Sequence, residues 1–312
     1  MSLLVAGTYP VPGGETLLGE VCSDADGCLS VAGRRLPSGQ GTAAMLAAAL
    51  AVSRHLAVEA PTALLAGDIG RGEGTRAVFA RLPQAVEELR PSVLAFHYLQ
   101  PVMALMRGAL DALAPRLRSG PLTLVADAGG MYAAKAAGLA PRFELMTPDV
   151  GEIGFLADPR VTHPAYVSRY LFGAPGFEPD ELVRLAHDGG GASRVLLVKG
   201  AVDRVAVEGR VTQTIRQPCV PALEAIGGTG DTVTGLAAGL MTAGFPTEDA
   251  ARCAALANRH AGEALKARPD HTAADIAARF PEVLSKGLCG WSGEACAPSR
   301  RPGRAAAGGP PT

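Results

Sequence analysis

The chain has 312 residues, a formal net charge of −1 at neutral pH and 19% charged residues. A charge so close to zero disfavours a nucleic acid or an anionic membrane surface as the partner. No apolar run reaches the roughly 18 residues of a membrane-spanning helix, and no basic region precedes the apolar N-terminus as in a signal peptide. We therefore expect a cytoplasmic protein that acts on a small molecule, with homo-oligomerisation left open.

Apolar runs alternate with helical patterns along the chain, which is typical of βαβ units and a mostly parallel sheet. In the first half, strands are predicted at residues 3–6, 62–66, 92–97, 122–126 and 143–146. Helices are predicted at residues 43–57, 75–89, 100–117, 132–138 and 149–157. Between the first strand and the first helix, the dipeptide Asp26-Gly27 favours hairpin or loop structure.

The second half continues the pattern, with helices predicted at residues 179–188, 231–243 and 247–267, a strand at 195–198 and a hairpin over 203–216. Residues 158–177 contain three prolines and are predicted to be irregular, and whether they form a lid stays open. The Pro-, Gly- and Arg-rich residues 297–312 are predicted to be disordered. We expect one α/β domain over residues 1–290, a three-layer αβα sandwich.

The segment Gly227-Gly228-Thr229-Gly230-Asp231 is the strongest candidate for a site. Apolar residues follow it at helical spacing, at positions 233, 236, 237, 240 and 241. Glycines allow a ligand to approach the backbone closely, and a helix N-terminus offers free N–H groups and the positive end of the helix dipole. The segment therefore predicts an anion site suited to a phosphate group in transfer.

Asp231 lies at the rim of this predicted anion site. A carboxylate there is placed to take a proton from a hydroxyl group while the site stabilises charge on a phosphoryl group. The alternative is that Asp231 only caps the helix, because acidic residues are common in the first turn. Spacing alone leaves the two hypotheses equal.

Several other classes of site are disfavoured. No Walker A motif and no nucleophile elbow of an acyl hydrolase occurs, and the six cysteines lack Cys-x-x-Cys pairs for zinc. The glycine-rich loop 67–74 follows a strand, but it lacks the third glycine of a dinucleotide-binding turn. A permissive turn is one alternative for this loop. The other places Asp68, with Glu73 and Arg76, at the mouth of the substrate site.

The segment Gly228-Thr229-Gly230-Asp231, followed by an Ala/Gly-rich helix, resembles the signature of the ribokinase-like superfamily. Thr147-Pro148-Asp149-Val150-Gly151-Glu152 resembles a Thr-Pro-His-x-Gly-Glu segment of the NAD(P)H-hydrate dehydratases within it. Three more segments resemble this family in the expected order, namely Gly41 to Ala51, Val125-Ala126-Asp127-Ala128 and Leu197-Val198-Lys199-Gly200. The resemblance covers roughly residues 39–266 and is closest to the ATP- or ADP-dependent dehydratase branch.

The resemblance implies an αβα fold, ATP or ADP as phosphate donor, and Mg²⁺. It implies that Asp231 is the catalytic base and that residues 228–230 form the anion hole. In the family, the nucleotide phosphorylates the hydroxyl group of hydrated NADH or NADPH, and elimination then restores the reduced nucleotide. On the nucleotide side we add Lys199, Gly200 and Asn258, and on the substrate side Asp68, Asp127, Thr147, Pro148 and Glu152.

Each added residue has a structural alternative. Glu152 is a candidate to organise Mg²⁺ through water, or it is a first-turn acid of its helix. Lys199 contacts nucleotide phosphate or is a loop lysine. Asp127 ends a strand where α/β folds place their sites, or it caps a turn. For Asn258, packing between helices is favoured over a contact with the nucleotide. His97 is expected to lie at the surface or to be hydrogen-bonded internally, because its spacing from other residues is not that of a metal ligand.

The sequence departs from the dehydratases at two places. Their Gly-Pro-Gly-Leu-Gly-like loop is replaced by Phe96-His97-Tyr98-Leu99-Gln100, and the Asn of their Asp-Ala-Asp-Ala-Leu-Asn segment is missing after Asp127. We therefore predict nucleotide-dependent phosphoryl transfer to a small hydroxyl-bearing molecule, most specifically NAD(P)H-hydrate dehydration. A sugar or vitamin-precursor kinase is the alternative, and a non-catalytic nucleotide sensor is the third hypothesis.

Overall fold

The computed structural model describes residues 1–13, 15–36, 39–161 and 177–292. Within these residues, eleven strands form one sheet in the order β11-β10-β9-β8-β7-β6-β1-β5-β2-β3-β4. Their bounds are β1 Leu3–Tyr9, β2 Leu17–Ser23, β3 Leu29–Val31, β4 Arg34–Arg35, β5 Thr62–Gly67, β6 Val93–His97, β7 Thr123–Ala126, β8 Leu145–Met146, β9 Val195–Val198, β10 Asp203–Val207 and β11 Arg210–Ile215.

The centre of the sheet is parallel, and its two edges are antiparallel. Strands β5, β1, β6, β7, β8 and β9 run parallel to one another. Strand β2 joins β5, and β10 joins β9, in antiparallel fashion. Because the carboxyl ends of parallel strands meet at one edge of a sheet, the residues that follow β6, β7, β8 and β9 lie side by side.

The helices of the described chain cover both faces of this sheet. Their bounds are α1 Thr42–Leu56, α2 Glu73–Leu89, α3 Met103–Ala112, α4 Ala114–Ser119, α5 Ala128–Ala136, α6 Val150–Ala157, α7 Pro179–Asp188, α8 Thr229–Thr242, α9 Thr247–Leu265, α10 Ala273–Ala277 and α11 Phe280–Trp291. None of them is long and apolar enough to cross a membrane.

Alternation along the buried strands divides the core into two layers. In β1, Leu3 and Val5 pack with residues of α1, α8, α9 and α11, while Leu4 and Ala6 pack with residues of α2, α3 and α5 on the other face. Successive side chains of a strand point to opposite faces, so a strand that is apolar throughout must be covered twice. The predicted three-layer αβα sandwich is confirmed.

Two predicted helices differ from the structure, and two helices of the structure were not predicted. The single helix expected over 100–117 is two helices, since Pro115 begins a new one and cannot continue the hydrogen bonds of α3. Helix α5 begins at Ala128, four residues before the predicted start. Sequence inspection missed α10 and α11, which pack beside α1 and α9.

Helix α5 begins early because of tertiary packing, which the helix propensity of its residues does not indicate. A Cβ atom on Gly129 would lie 1.8 Å from the carbonyl oxygen of Leu99, and one on Gly130 would lie 2.7 Å from the Cβ of Phe96. These glycines disfavour a helix in isolation, but they let α5 pack directly against the segment after β6. This close approach brings Asp127, just before α5, towards that segment.

Predictions for residues 162–176 and 293–312 lie outside the described residues. They include most of the irregular stretch 158–177 and the whole tail 297–312. The extent of the single domain, 1–290, therefore stays a prediction.

The packing of α8 on α1 depends on small residues. A Cβ atom on Gly235 would lie 2.1 Å from the backbone oxygen of Met45, which cannot move without shifting α1. We predict that Gly235→Ala lowers the free energy of unfolding by about 1–3 kcal/mol through overpacking. The measurement is the midpoint of urea unfolding.

Gly108 is the matched control because it lies inside α3, is exposed, and has no atom within 4 Å of an added Cβ. Gly108→Ala is expected to be neutral or to stabilise by up to about 1 kcal/mol through helix propensity. Equal midpoints for wild type and Gly235→Ala would show that the contact between α1 and α8 relaxes freely.

Candidate active site

A cavity of about 370 Å³ lies at the carboxyl edge of the sheet, against the N-terminus of α8. Its volume falls within the range of small-molecule sites. Polar side chains from the ends of several strands converge there, as expected for this edge of an α/β sheet. The polar residues that line the cavity include Tyr98, Asp127, Asp149, Glu152, Lys199, Asp203, Glu224, Thr229, Asp231, Asn258 and Arg259.

The glycine segment opens α8 as predicted. Gly228 has φ 96°, a left-handed conformation that favours glycine, and α8 begins at the next residue. Thr229 turns its hydroxyl to the carbonyl oxygens of Leu223 and Ile226, which anchors the turn. Among the described residues, the amides of Gly230 and Asp231 have no hydrogen-bond acceptor. Two free N–H groups at the rim of a cavity form an anion site.

Asp231 lies beside these amides. Its Oδ1 is 3.1 Å from His97 Nε2, whereas its Oδ2 accepts no hydrogen bond within the described part of the chain. The side chain caps no helix amide, so the structure gives no support to a capping role. One carboxylate oxygen is thus held and the other is free.

The buried carboxylate of Asp127 connects most of the polar groups of the site. Lys199 Nζ lies 3.0 Å from both of its oxygens, and the Thr234 hydroxyl donates to Oδ2 at 2.6 Å. It also caps α5 through the amide of Ala128, which confirms the capping alternative, while a role of Asp127 towards a substrate stays a prediction. Burial alone would raise the pKa of Asp127, but Lys199 and His97 outweigh it and lower that pKa.

Thr147 and Pro148 support the site from behind. Because the Thr234 hydroxyl donates to Asp127, the Thr147 hydroxyl, 2.8 Å from it, must be the donor in their contact. The carbonyl of Pro148 accepts the amide of Lys199 at 2.8 Å. Both residues are buried and neither lines the cavity, so they position Asp127 and Lys199.

Lys199 places a cation between the cavity and Asp127. Burial alone would lower its pKa, but Asp127, Glu152 and Asp231 together raise it above the ordinary lysine value. A Cβ atom on Gly230 would be 3.4 Å from Lys199 Nζ, so the amine lies against the glycine turn. A protonated lysine at an anion site favours phosphate.

Glu152 is both a helix-terminal acid and a side chain of the cavity. Its Oε2 accepts the amide of Asp149 at 2.8 Å, completing a capping box at the start of α6, and its Oε1 accepts the Tyr132 hydroxyl. Burial, with Asp127 and Asp149 nearby, raises the pKa of Glu152 to about 7 against the opposing effect of Lys199.

His97 was missed as a site residue. It is fully buried at the end of β6, with Nε2 facing Asp231 and Nδ1 3.1 Å from the Thr42 hydroxyl. The description as an internally satisfied histidine is correct, but its partner is the predicted catalytic carboxylate. His97 could have been predicted from its position at the end of a parallel strand, which is the feature that identified Asp127 as a candidate.

Arg259 also lines the cavity and was not predicted as a site residue. Its guanidinium donates to Asp203 at 2.6 Å and to the carbonyl oxygens of Gly200 and Ala201 at 2.9 Å. Asn258 lines the cavity, and its Oδ1 accepts the Thr232 hydroxyl. Arg259 therefore holds the loop after β9, including Gly200, in place.

Asp68 is placed elsewhere. Its carboxylate accepts hydrogen bonds from the amides and hydroxyl of its own loop, donated by residues 70, 71, 72 and 75. Asp68 does not line the cavity, and Arg76 turns back to the carbonyl of Gly72. The structure thus favours the permissive-turn interpretation of loop 67–74, with Asp68 as its organiser.

Comparison with known proteins identifies the family. A family model described as NAD(P)H-hydrate dehydratase matches residues 105–281, more than half of the 312 residues. The chain belongs to the NAD(P)H-hydrate dehydratase family. Members of this family are nucleotide-dependent enzymes, which agrees with the predicted class of activity.

Two curated relatives match parts of this dehydratase-family chain. An uncharacterised protein of Methanocaldococcus jannaschii is 33% identical over 222 residues, covering 71% of this chain and 90% of the relative. The bifunctional NAD(P)H-hydrate repair enzyme of Methanothermobacter thermautotrophicus is 34% identical over 98 residues, which cover 31% of this chain but only 18% of that enzyme.

Solved structures share the fold over nearly the whole length of this dehydratase-family chain. Bacillus subtilis YxkO is 16% identical with a TM-score of 0.53, covering 91% of each chain. Escherichia coli phosphofructokinase-2 is 14% identical with a TM-score of 0.53, covering 91% of this chain and 99% of that one. The predicted ribokinase-like fold is confirmed.

The raised pKa of Glu152 predicts a pH-dependent effect on stability. A folded pKa of about 7, against an ordinary 4.5, means that ionisation disfavours the folded state as pH rises between these values. In Glu152→Gln, the amide oxygen can still accept the Asp149 amide, and the NH2 group can donate to the Tyr132 hydroxyl. We expect this variant to gain about 1–3 kcal/mol in free energy of unfolding over wild type across that range. The measurement is urea unfolding at pH values on both sides of the range.

Glu282 is the control with the opposite sign, because its ion pair with Lys286 lowers its pKa. Glu282→Gln should lose stability relative to wild type as pH rises. A pH-independent difference between Glu152→Gln and wild type would contradict the raised pKa of Glu152.

Proposed function

We propose that the protein is an ATP- or ADP-dependent NAD(P)H-hydrate dehydratase that repairs hydrated NADH or NADPH. One observation carries this proposal. The free amides of Gly230 and Asp231 and the free Oδ2 of Asp231 face the same cavity. An anion hole beside an available base is the arrangement that transfer of a phosphoryl group to a hydroxyl group requires.

The nucleotide is proposed to lie along the floor of the cavity. Its transferred phosphate would accept hydrogen bonds from the turn at Gly228, Thr229 and Gly230, with charge from Lys199. Gly200 and Asn258 also line the cavity, Gly200 in the loop that Arg259 holds and Asn258 beside Thr232 of α8. These uncharged groups would contact the rest of the nucleotide beyond its phosphate chain.

Mg²⁺ is proposed to be held through water by Glu152. Each oxygen of this carboxylate already accepts one hydrogen bond, and each retains a second lone pair for a metal-bound water. Oxygen ligands of this kind suit Mg²⁺, which usually keeps several waters and binds few carboxylates. When bound, the ion would neutralise charge on the phosphate oxygens.

Asp231 is proposed to act as the base through Oδ2. It takes the proton of the substrate hydroxyl as that oxygen bonds to phosphorus and the bond to the nucleotide leaving group breaks. In the second step the carbon–oxygen bond breaks and inorganic phosphate leaves with its electron pair. The C–H bond of the neighbouring carbon breaks, its electron pair forms the double bond, and its proton passes to solvent water. Asp127, Thr147 and Pro148 position the charges around these steps, and Asp68 shapes the loop beside β5.

A small-molecule kinase is the second candidate, and one observation favours it. The segment 97–100, at the substrate side, departs from the glycine-rich loop of the dehydratases, and Tyr98 there lines the cavity with half of its surface exposed. An enzyme of this kind would release a phosphorylated product. A nucleotide sensor is disfavoured, because the free Oδ2 of Asp231 serves no structural purpose.

We predict that Asp231→Asn lowers turnover about a hundredfold or more, since an amide cannot accept the hydroxyl proton. Nucleotide affinity should change little, because the backbone amides of the anion hole remain. The measurement is recovery of reduced-nicotinamide absorbance from hydrated NADH with Mg²⁺ and ATP or ADP, together with calorimetric nucleotide binding. Asp111→Asn, on the exposed face of α3, is the matched control.

Recovery that requires a nucleotide and is lost in Asp231→Asn supports the dehydratase. Nucleotide binding without recovery, but with nucleotide-dependent phosphorylation of a sugar or vitamin precursor, supports the kinase. Wild-type turnover in Asp231→Asn would contradict a role of Asp231 as base in either enzyme.

A further inference from the structure

The hydrogen bonds around His97 determine where its protons lie. The Thr42 hydroxyl is 2.8 Å from the carbonyl oxygen of Thr8 and 3.1 Å from His97 Nδ1. A carbonyl oxygen can only accept, so the single hydroxyl hydrogen of Thr42 points to Thr8. The hydrogen in the second contact must then belong to Nδ1.

With Nδ1 protonated, a neutral imidazole would turn the lone pair of Nε2 towards Asp231. Nε2 lies 3.1 Å from Asp231 Oδ1 and 3.8 Å from Asp127 Oδ2, and the ring is fully buried. A lone pair at hydrogen-bond distance from a carboxylate oxygen is repulsive without a positive charge between them. The contact therefore requires one more proton or a metal ion.

The surrounding charges favour a proton. Both oxygens of Asp127 are already engaged, by Lys199 on each and by Thr234 and the Ala128 amide. Together with His97 and Asp231, Asp127 has the spacing of a cation site, but the Lys199 ammonium already occupies its side facing the cavity. Tyr98, whose ring packs edge-on against His97, adds no charge while it is protonated.

We propose that His97 is a positioning residue that holds a proton on Nε2, shared with Oδ1 of Asp231. The proton sits on nitrogen because imidazole is the more basic group in water. The resulting ion pair keeps Asp231 ionised and fixes Oδ1, which leaves Oδ2 directed to the cavity. The protonation is independent of the reaction, and only its kinetic consequence rests on the proposed function.

Nitrogen NMR on protein labelled in its six histidines tests the protonation directly. At neutral pH, both ring nitrogens of His97 should show protonated shifts in wild type, with the assignment made by loss of these signals in His97→Gln. In Asp231→Asn the amide can itself donate to Nε2, so only Nδ1 should remain protonated. A bare Nε2 in wild type would overturn the proposal.

The same spectra separate the proton from a metal ion. Adding Mg²⁺ or Zn²⁺ alone should leave the Nε2 proton in place. Loss of that proton with a metal-dependent shift of Nε2 would make the cluster a cation site and overturn the proposal. Because this readout does not involve turnover, it stands whether or not hydrated NADH is the substrate.

Two substitutions test the positioning role. His97→Gln keeps a neutral donor near the place of Nε2, whereas His97→Met fills the space without one. We expect kcat to fall about a hundredfold in His97→Met and to recover to within about tenfold of wild type in His97→Gln, with the KM for nucleotide unchanged. Equal kcat values in the two variants would contradict positioning through a hydrogen bond.

Discussion

The buried ion pair between Lys199 and Asp127 is the interaction on which the architecture of the site depends. Asp127 joins the end of β7 to α5, Lys199 brings in β9, and Thr234 brings in α8. Removing one partner of such a pair leaves an uncompensated buried charge, which costs about 3–5 kcal/mol. Because Lys199 and Ala128 both contact Asp127 and line the cavity, the groups around this carboxylate also shape the wall of the cavity.

Small residues make this convergence feasible. Gly235 lets α8 approach α1 closely, and Gly129 and Gly130 let α5 approach the segment after β6. Each close approach positions a polar group at the cavity. The free N-terminal amides belong to α8, and Asp127 lies just before α5. The alanine- and glycine-rich composition is thus tied to the geometry of the site through helix packing, since bulkier side chains would hold these helices farther from their neighbours.

The parts of the proposed site differ in how closely they resemble the dehydratases. Residues 228–231 and Lys199 lie in segments that resemble the family, whereas His97 and Tyr98 stand where the dehydratases have a glycine-rich loop. His97 compensates for its burial by joining the Asp231 network, and the exposed ring of Tyr98 faces the cavity. The nucleotide chemistry is therefore the better-supported part of the proposed function, and the identity of the substrate depends on the altered loop.

The sequence by itself determined the alternation of strands and helices, the glycine turn at the start of α8 and the strand-end positions of Asp127 and Lys199. These features are local, because periodicity, glycine conformation and the direction of parallel strands follow from short segments. Only the tertiary structure decided that His97, 134 residues from Asp231 in the chain, is its partner, and that α5 begins at Ala128. Both depend on contacts between segments that are distant in the chain. The hydrogen bonds and close packing of such contacts produce no periodic pattern in the sequence.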